Sequence, residues 1–135
     1  MQDLTPDNGP VHLVLSVSDV DRSKQFYGEA FGWEPHLEWP GEYAELQLPD
    51  NDWLGLYRED GFAASAGAPV EELKRGRYGG AELYVQVEDL DGAMASLREA
   101  GAKSLSPLAR RGWGHEAAYF ADPDGNIVAV ARPVD

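Results

Sequence analysis

Hydrophobic and polar residues alternate through the segment ELYVQV at residues 82–87. Successive side chains of an extended strand point to opposite faces, so the leucine and the two valines share one face. The other face carries Glu82, Tyr84 and Gln86. An amphipathic segment follows up to residue 100, and Asp89 stands where its helix would begin and could be capped. The pattern therefore predicts a strand followed by a helix.

The same pattern occurs twice in the chain. Residues 12–30 match residues 82–100 at an offset of 70, which aligns Asp19 with Asp89. Residues 43–58 match residues 117–132 at an offset of 74, which aligns two Pro-Asp turns between apolar runs. Each copy is therefore predicted to be a strand, a helix and then two or three strands.

This repeat predicts an α+β protein with a single domain over residues 1–135. Module one spans about 10–58, a Gly- and Ala-rich linker about 59–80, and module two about 81–133. The helices are expected to cover the aliphatic face of both sheets, so that two curved sheets facing inward make a cup. The inward face is mixed polar and aromatic, as in a pocket lining. It carries His12, Ser16, Trp53, Tyr57, Glu82, Tyr84 and Gln86.

Composition narrows the classes of function. The formal net charge of −13 repels phosphate backbones, which argues against nucleic-acid binding. The same charge would attract a cationic ligand or a metal. The alternative is that the acidic residues only keep the protein soluble. The absence of cysteine excludes disulfides and thiolate metal sites. No apolar run approaches the roughly 20 residues of a membrane span, and the N-terminus does not resemble a signal peptide. We therefore expect a cytoplasmic protein that does not bind membranes.

Three phrases, HLVLSVSDVDRSKQFY, ELYVQVEDLDGAMASLREAGA and WGHEAAYFADPDGN, resemble the glyoxalase/bleomycin-resistance/extradiol-dioxygenase superfamily, also called vicinal oxygen chelate. The resemblance covers roughly residues 10–133 and implies two βαβββ modules. These would form a cup-shaped, eight-stranded mixed sheet with helices on the outer face. Members of the superfamily usually form dimers, and the cup can lie within one chain or between two swapped chains.

The resemblance also implies four inward metal-ligand positions, which in this sequence are His12, Gly55, Glu82 and Ala129. Gly55 and Ala129 offer no side-chain donor, so we expect no bound metal of the family type and no other cofactor. The alternative is a weakly bound divalent metal. Glu45, His115 or Glu116 could then replace a missing ligand.

Bleomycin-resistance proteins of the superfamily hold flat, cationic antibiotics between aromatic side chains. This chain has comparable candidates, and Trp113 lies between two glycines that would let its loop move over a ligand. We therefore predict binding of a small, planar aromatic or cationic molecule by a homodimer. The ligand-binding residues would be His12, Trp53, Tyr57, Glu82, Tyr84 and Trp113.

Two other classes of function stay open at this stage. The first is a lyase, isomerase or ring-cleaving dioxygenase in which His12 and Glu82 act as acid and base, with or without a metal. The second, a purely structural homodimer, is disfavoured because the inward face is not aliphatic. The aromatic residues also have a competing interpretation as core, which is favoured for Trp33, and Phe62 in the linker could be a lid or a dimer contact.

Overall fold

The computed structural model describes residues 10–73 and 80–134, and the first module folds in the predicted order. The 3-10 turn Pro49–Asn51 joins its last two strands, which corresponds to the predicted Pro-Asp turn. The elements of this module are β1 (Leu13–Val17), α1 (Val20–Phe31), β2 (Pro35–Trp39), β3 (Tyr43–Gln47) and β4 (Trp53–Arg58).

Two helices lie in the segment expected to be a linker, namely α2 (Glu59–Ala66) and α3 (Val70–Leu73). In α2 the buried residue is Ala63, so the helix has almost no apolar stripe. This explains why the sequence pattern of residues 59–80 showed no helical periodicity. Residues 74–79 of that segment lie outside the described residues.

The second module repeats the first. Its elements are β5 (Glu82–Gln86), α4 (Leu90–Glu99), β6 (Lys103–Arg110), β7 (His115–Ala121) and β8 (Ile127–Pro133). In residues 10–73 and 80–134, no helix is both long enough and apolar enough to cross a membrane.

The eight strands form two open four-stranded sheets, with the orders β1-β4-β3-β2 and β5-β8-β7-β6. In each sheet the first and last strands of the module, β1 with β4 and β5 with β8, pair in parallel. The other neighbouring strands are antiparallel. Leu13 lies opposite Leu54 in the first sheet, and Leu83 lies opposite Val128 in the second. These pairs are related by the offsets of 70 and 74, so the internal repeat and the α+β fold of two βαβββ modules are confirmed.

The two long helices cover the aliphatic faces of the sheets, and each begins at the predicted cap. The side chain of Asp19 accepts a hydrogen bond from the backbone of Arg22, and Asp89 does the same for Gly92. The shared core contains aliphatic residues from the strands together with aromatic rings from α1. Its fully buried large side chains include Val17, Tyr27, Leu46, Leu54, Leu56, Leu90, Leu97, Phe120, Val128 and Val130.

The modules meet where α1 packs against α4 and against the turn that follows β7. The buried Tyr27 hydroxyl donates to Asp122 Oδ2 at 2.6 Å. Asp124 accepts from the Ser18 backbone and hydroxyl at 3.1 and 2.7 Å, and from the Ser23 hydroxyl at 3.3 Å. These hydrogen bonds connect residues about 100 positions apart in the sequence and fix one module against the other.

The DPDGN turn at residues 122–126 owes its shape to its first carboxylate. Asp122 Oδ1 accepts from the backbone N–H groups of Asp124 and Asn126 at 2.9 and 2.8 Å. Gly125 has φ of 84°, a conformation that side-chain-bearing residues rarely adopt. This turn, the most specific phrase of the resemblance, therefore has a structural role at the junction of the modules.

Candidate functional site

The face of the first sheet that points away from α1 and α4 is the first part of the candidate site. We call it the helix-free face because neither of these long helices covers it, although the short helix α2 contacts its Tyr57. On β4, Leu54 and Leu56 pack into the core, so Trp53, Gly55 and Tyr57 lie on the helix-free face, as predicted. Alternation in β3 places its glutamate and its tyrosine on the same face. The helix-free face is therefore aromatic and acidic rather than aliphatic.

His12 lies at one end of this face and contacts two neighbours. Its ring stacks on Trp53, with ring centroids 3.9 Å apart and planes inclined by 18°. Its Nδ1 atom is 2.7 Å from Asp52 Oδ1. The Trp53 backbone N–H and then His12 hold the pKa of Asp52 below its ordinary value, so that carboxylate is ionised at neutral pH. The structure thus pairs His12 with Asp52, a partner that the sequence analysis did not consider, and in the described part of the chain no hydrogen bond joins His12 to Glu82.

Gly55 occupies one of the two donor-free ligand positions, and its surroundings leave no space for a side chain. A Cβ atom there would lie 2.9 Å from Val14 Cγ2 and 3.0 Å from the Tyr43 hydroxyl. The Tyr43 hydroxyl thus fills the place where a side chain of residue 55 would begin. In the sheet, Glu45 lies directly opposite Gly55.

Glu45, one of the candidate replacement ligands, is engaged by two other side chains. Its Oε2 atom accepts from the Tyr43 hydroxyl at 2.8 Å, and its Oε1 atom is 2.8 Å from His36 Nε2. The hydrogen bonds that His36 makes to the Glu45 carboxylate and then to the Gln47 side-chain oxygen raise the pKa of His36, whereas burial and then Glu45 raise the pKa of Tyr43. The carboxylate therefore already has a phenol and an imidazole as hydrogen-bond partners.

Three aromatic rings surround an open cavity at the other end of this face. The cavity has a volume of about 500 Å³ and is lined by Val14, Trp39, Glu42, Tyr43 and Tyr57. Trp39 is 54% exposed, and its ring lies 5.7 Å from that of Tyr43. Tyr43 in turn meets Tyr57 edge to face at 5.4 Å. Of these three rings only Tyr57 was predicted to bind a ligand.

The second sheet contributes a separate aromatic group. The Trp113 indole N–H donates to the Tyr84 hydroxyl at 2.8 Å, and that hydroxyl lies 2.8 Å from His115 Nδ1. Trp113 is 57% exposed on a turn in which Gly114 has φ of 85°. The structure therefore brings together Tyr84 and Trp113, two of the predicted ligand-binding residues.

Ala129, the second donor-free position, is completely buried between two tyrosines of the neighbouring strands. Tyr84 and Tyr119 are its direct partners on β5 and β7. Burial, followed by the nearby Glu82 carboxylate, raises the pKa of Tyr119. The Arg111 guanidinium lies over the Tyr119 ring at 5.1 Å. Glu82 is thus placed among phenol groups, at an exposed position.

Glu116, the other carboxylate considered as a replacement ligand, lies on the opposite side of its strand. Ala118 and Phe120 share its parity on β7 and pack into the core. Glu116 Oε1 accepts from Arg132 Nε at 2.5 Å. Within residues 10–73 and 80–134, no group of three or more histidine and carboxylate side chains is arranged to hold a metal ion.

The six predicted ligand-binding residues do not converge on one pocket. They form three groups: His12 with Trp53, Tyr57 with the aromatic cavity, and Tyr84 with Trp113 and Glu82. A smaller cavity of about 170 Å³ lies at the seam between β1 and β5 and is lined by Ser16 of β1, Phe62 of α2 and Glu82 of β5, among others. Trp33 stacks on Phe31 on the helix side and belongs to the core, as expected.

Sequence reasoning missed Trp39, Tyr43 and Asp52. A bulge at His36 interrupts the pairing of β2 with β3, so the alternation that identifies an inward residue is broken before Trp39. The alternation of Tyr43, Glu45 and Gln47 against Ala44 and Leu46 was a usable signal. Asp52 precedes β4 in a turn, where periodicity carries no information.

Comparisons with known proteins agree with this architecture. A family model described as Glyoxalase/Bleomycin resistance protein/Dioxygenase superfamily matches residues 9–130. Uncharacterized protein YraH of Bacillus subtilis is 29% identical over 125 residues, which cover 90% of this chain and 96% of the relative. Metallothiol transferase FosB of Shouchella clausii is 29% identical over 126 residues, which cover 91% of this chain and 79% of the relative. A crystal structure of a glyoxalase-related enzyme from Fulvimarina pelagi has a TM-score of 0.78 at 28% identity, and the match covers 91% of this chain and 87% of that one.

Proposed function

The chain belongs to the glyoxalase/bleomycin resistance protein/dioxygenase superfamily, and we propose that it binds a small, planar aromatic or cationic molecule in the sheet cup without a metal centre of the family type. One observation carries the proposal. Around the two donor-free positions, Gly55 and Ala129, the space on the helix-free faces is filled by tyrosine side chains. Aromatic rings stack on planar ligands and attract cations through their faces.

The four implied ligand positions do not fit a four-ligand metal site. His12 and Glu82 can donate, but Gly55 and Ala129 cannot, and each candidate replacement is already engaged. Glu45 is bound to Tyr43 and His36, His115 to Tyr84, and Glu116 to Arg132. Two ligands alone define neither the coordination number nor the geometry that a stable divalent site needs.

The stacked pair of His12 and Trp53 is the best platform for a planar ligand. The two rings are nearly parallel, and Asp52 fixes the imidazole against the indole. A further ring that stacks on such a pair contributes about 0.5–1.5 kcal/mol beyond its buried area. The Asp52 carboxylate and the net charge of −13 favour a ring that carries positive charge.

The second sheet offers a movable counterpart. Trp113 is exposed between glycines and is held by a single hydrogen bond to Tyr84. Breaking that bond would let the indole close over a ligand, and Glu82 would then lie at the polar end of the site. The homodimer and the cytoplasmic location expected from the sequence remain predictions; light scattering after size exclusion measures the former.

The binding proposal is tested with proflavine, a planar aromatic cation, by titration of tryptophan fluorescence. We expect saturable binding that Trp53→Leu weakens about fivefold or more, because the stacking surface is lost. Trp33→Phe is the matched control, since that ring lies on the helix side and should leave the affinity unchanged. Equal affinity in Trp53→Leu and the wild type would contradict this placement of the ligand.

A second candidate function, a metal-free lyase or isomerase, is favoured by the contact between His12 and Asp52. An imidazole oriented by a carboxylate can take up and return a proton, which is the arrangement of general acid–base catalysis. A panel of methylglyoxal–thiol adducts, which isomerise by proton transfer alone, tests it. Turnover that falls about 100-fold or more in both His12→Ala and Asp52→Asn would establish the enzyme, whereas the binding function predicts none.

A further inference from the structure

We propose that Trp39, Tyr43 and Tyr57, with the Glu42 carboxylate at the rim, form an aromatic cage for the alkylammonium group of a ligand. This inference deepens the proposed function and rests on it in one respect, because the cage opens on the same helix-free face as His12 and Trp53. It adds a chemical class for one end of the ligand and a site for that end.

The three rings are inclined to one another and do not form a parallel-sided slot. Tyr43 and Tyr57 meet at an interplanar angle of 79°, and Trp39 is tilted by 48° from Tyr43. A flat ring sandwiched between aromatic side chains needs two parallel faces, which this arrangement does not provide. A compact, roughly spherical group can instead touch all three faces. The geometry therefore favours a tetrahedral ammonium over an aromatic ring.

The tyrosines are held in place before any ligand arrives. The Tyr57 ring packs so closely on Gly61 that a Cβ atom there would lie 2.5 Å from the ring. The Tyr57 hydroxyl lies 3.1 Å from Ser65 Oγ, and the Tyr43 hydroxyl donates to Glu45. Because both hydroxyls have partners, the tyrosines offer their ring surfaces to the cavity. A preformed site loses little side-chain entropy on binding.

Charge at the rim matches a cation. Glu42 lines the cavity, and no side chain in the described part of the chain forms an ion pair with it within 4.0 Å. Arg58, whose charge interacts with Glu42, forms its ion pair with Asp60 at 2.7 Å. Aromatic faces bind quaternary and alkylated ammonium groups well because these ions hold their hydration water weakly. The cavity of about 500 Å³ lies within the usual range for small-molecule sites.

The experiment compares choline with 3,3-dimethyl-1-butanol, an uncharged molecule of nearly the same shape, by ligand-observed NMR on the wild-type protein. We expect the methyl protons of choline to shift upfield and the choline affinity to be about tenfold higher than that of the alcohol. Trp39→Leu should weaken choline binding about fivefold or more, and Glu42→Gln about threefold. Trp39 is exposed, so its replacement leaves the core intact.

Trp33→Phe is the control, because that ring stacks on Phe31 against the core on the helix side and its replacement should leave choline affinity unchanged. Equal affinity for choline and the alcohol would overturn the cage, as would a Trp39→Leu variant that binds choline like the wild type. Failure of the proposed function gives a different result. In that case proflavine would not bind, or its affinity would be the same in Trp53→Leu as in the wild type. Choline affinity would still fall in Trp39→Leu.

Discussion

Single residues decide what the helix-free face can bind. Gly55 lets the Tyr43 hydroxyl approach β4, and Ala129 is the small residue between Tyr84 and Tyr119 on the neighbouring strands. A larger side chain at either position would displace aromatic surface. Their small size is therefore tied to the shape of the aromatic face as well as to the absence of donor atoms.

The close packing at Gly55 gives a prediction at this scale. Gly55→Ala places a methyl group 2.9 Å from Val14 Cγ2, and we expect it to lower the free energy of unfolding by about 1–3 kcal/mol. The same change in a Val14→Ala background should cost clearly less, because the clashing methyl groups are gone. Denaturant unfolding of the four proteins measures both values. Gly112→Ala is the control, since that glycine has open space around it, and a cost at residue 55 no larger than there would contradict the packing argument.

Strands and helices followed from the sequence where the alternation was regular. The offsets of 70 and 74 predicted which residues of the two modules are equivalent, and the equivalent pairs Leu13 with Leu54 and Leu83 with Val128 confirm it. The prediction failed to identify α2, whose burial is limited to Ala63. It also missed the strand-edge residues beyond the bulge at His36, because a bulge shifts the parity of every residue after it.

Contacts between side chains from different elements could not be predicted from the sequence, for another reason. His12 and Asp52 are brought together by a parallel strand pair and the turn before it, which no local pattern encodes. The same holds for Tyr43, whose hydroxyl reaches across to Gly55 from the neighbouring strand. Alternation assigns a side chain to a face, whereas its partner depends on the lateral register of the strands.

The edge strand β2 carries a prediction about pH. His36 joins it to β3 through Glu45 and Gln47, and these hydrogen bonds raise the His36 pKa above 6.5. A raised folded-state pKa means that the protonated imidazole stabilises the fold. This contribution is fully present below pH 6.5 and is lost as the pH rises through the folded-state value.

Melting temperatures of the wild type and His36→Gln measured across the pH range test this. We expect the wild type to be the more stable at about pH 5.5 and the difference to shrink at about pH 8.5. An NMR titration of the His36 ring should give a pKa above 6.5, and Glu45→Gln should lower it. A stability difference that grows with pH would have the wrong sign for this contact.

At the scale of the whole molecule, the two modules share one core and one polar junction. The helix-free faces are built separately within each module, whereas α1, α4 and the turn at 122–126 bind the modules together. The junction uses hydrogen bonds among Tyr27, Asp122, Asp124 and two serines, and none of these residues lines the aromatic cavity of the first sheet. Its loss should therefore affect stability without altering the aromatic faces.

Tyr27→Phe tests this division of roles. The change removes the buried hydroxyl that donates to Asp122 at 2.6 Å, and a buried carboxylate deprived of a donor costs about 1–3 kcal/mol. Because the bond joins both modules, fluorescence from the tryptophans and far-ultraviolet circular dichroism should still report one transition at a lower temperature. Tyr119→Phe is the matched control, since its hydroxyl has no hydrogen-bond partner among the described residues and its removal should cost less. Two separate melting steps in Tyr27→Phe would contradict the shared core of the two modules. Weaker binding of choline or proflavine by this variant would show that the junction also determines the shape of the aromatic faces.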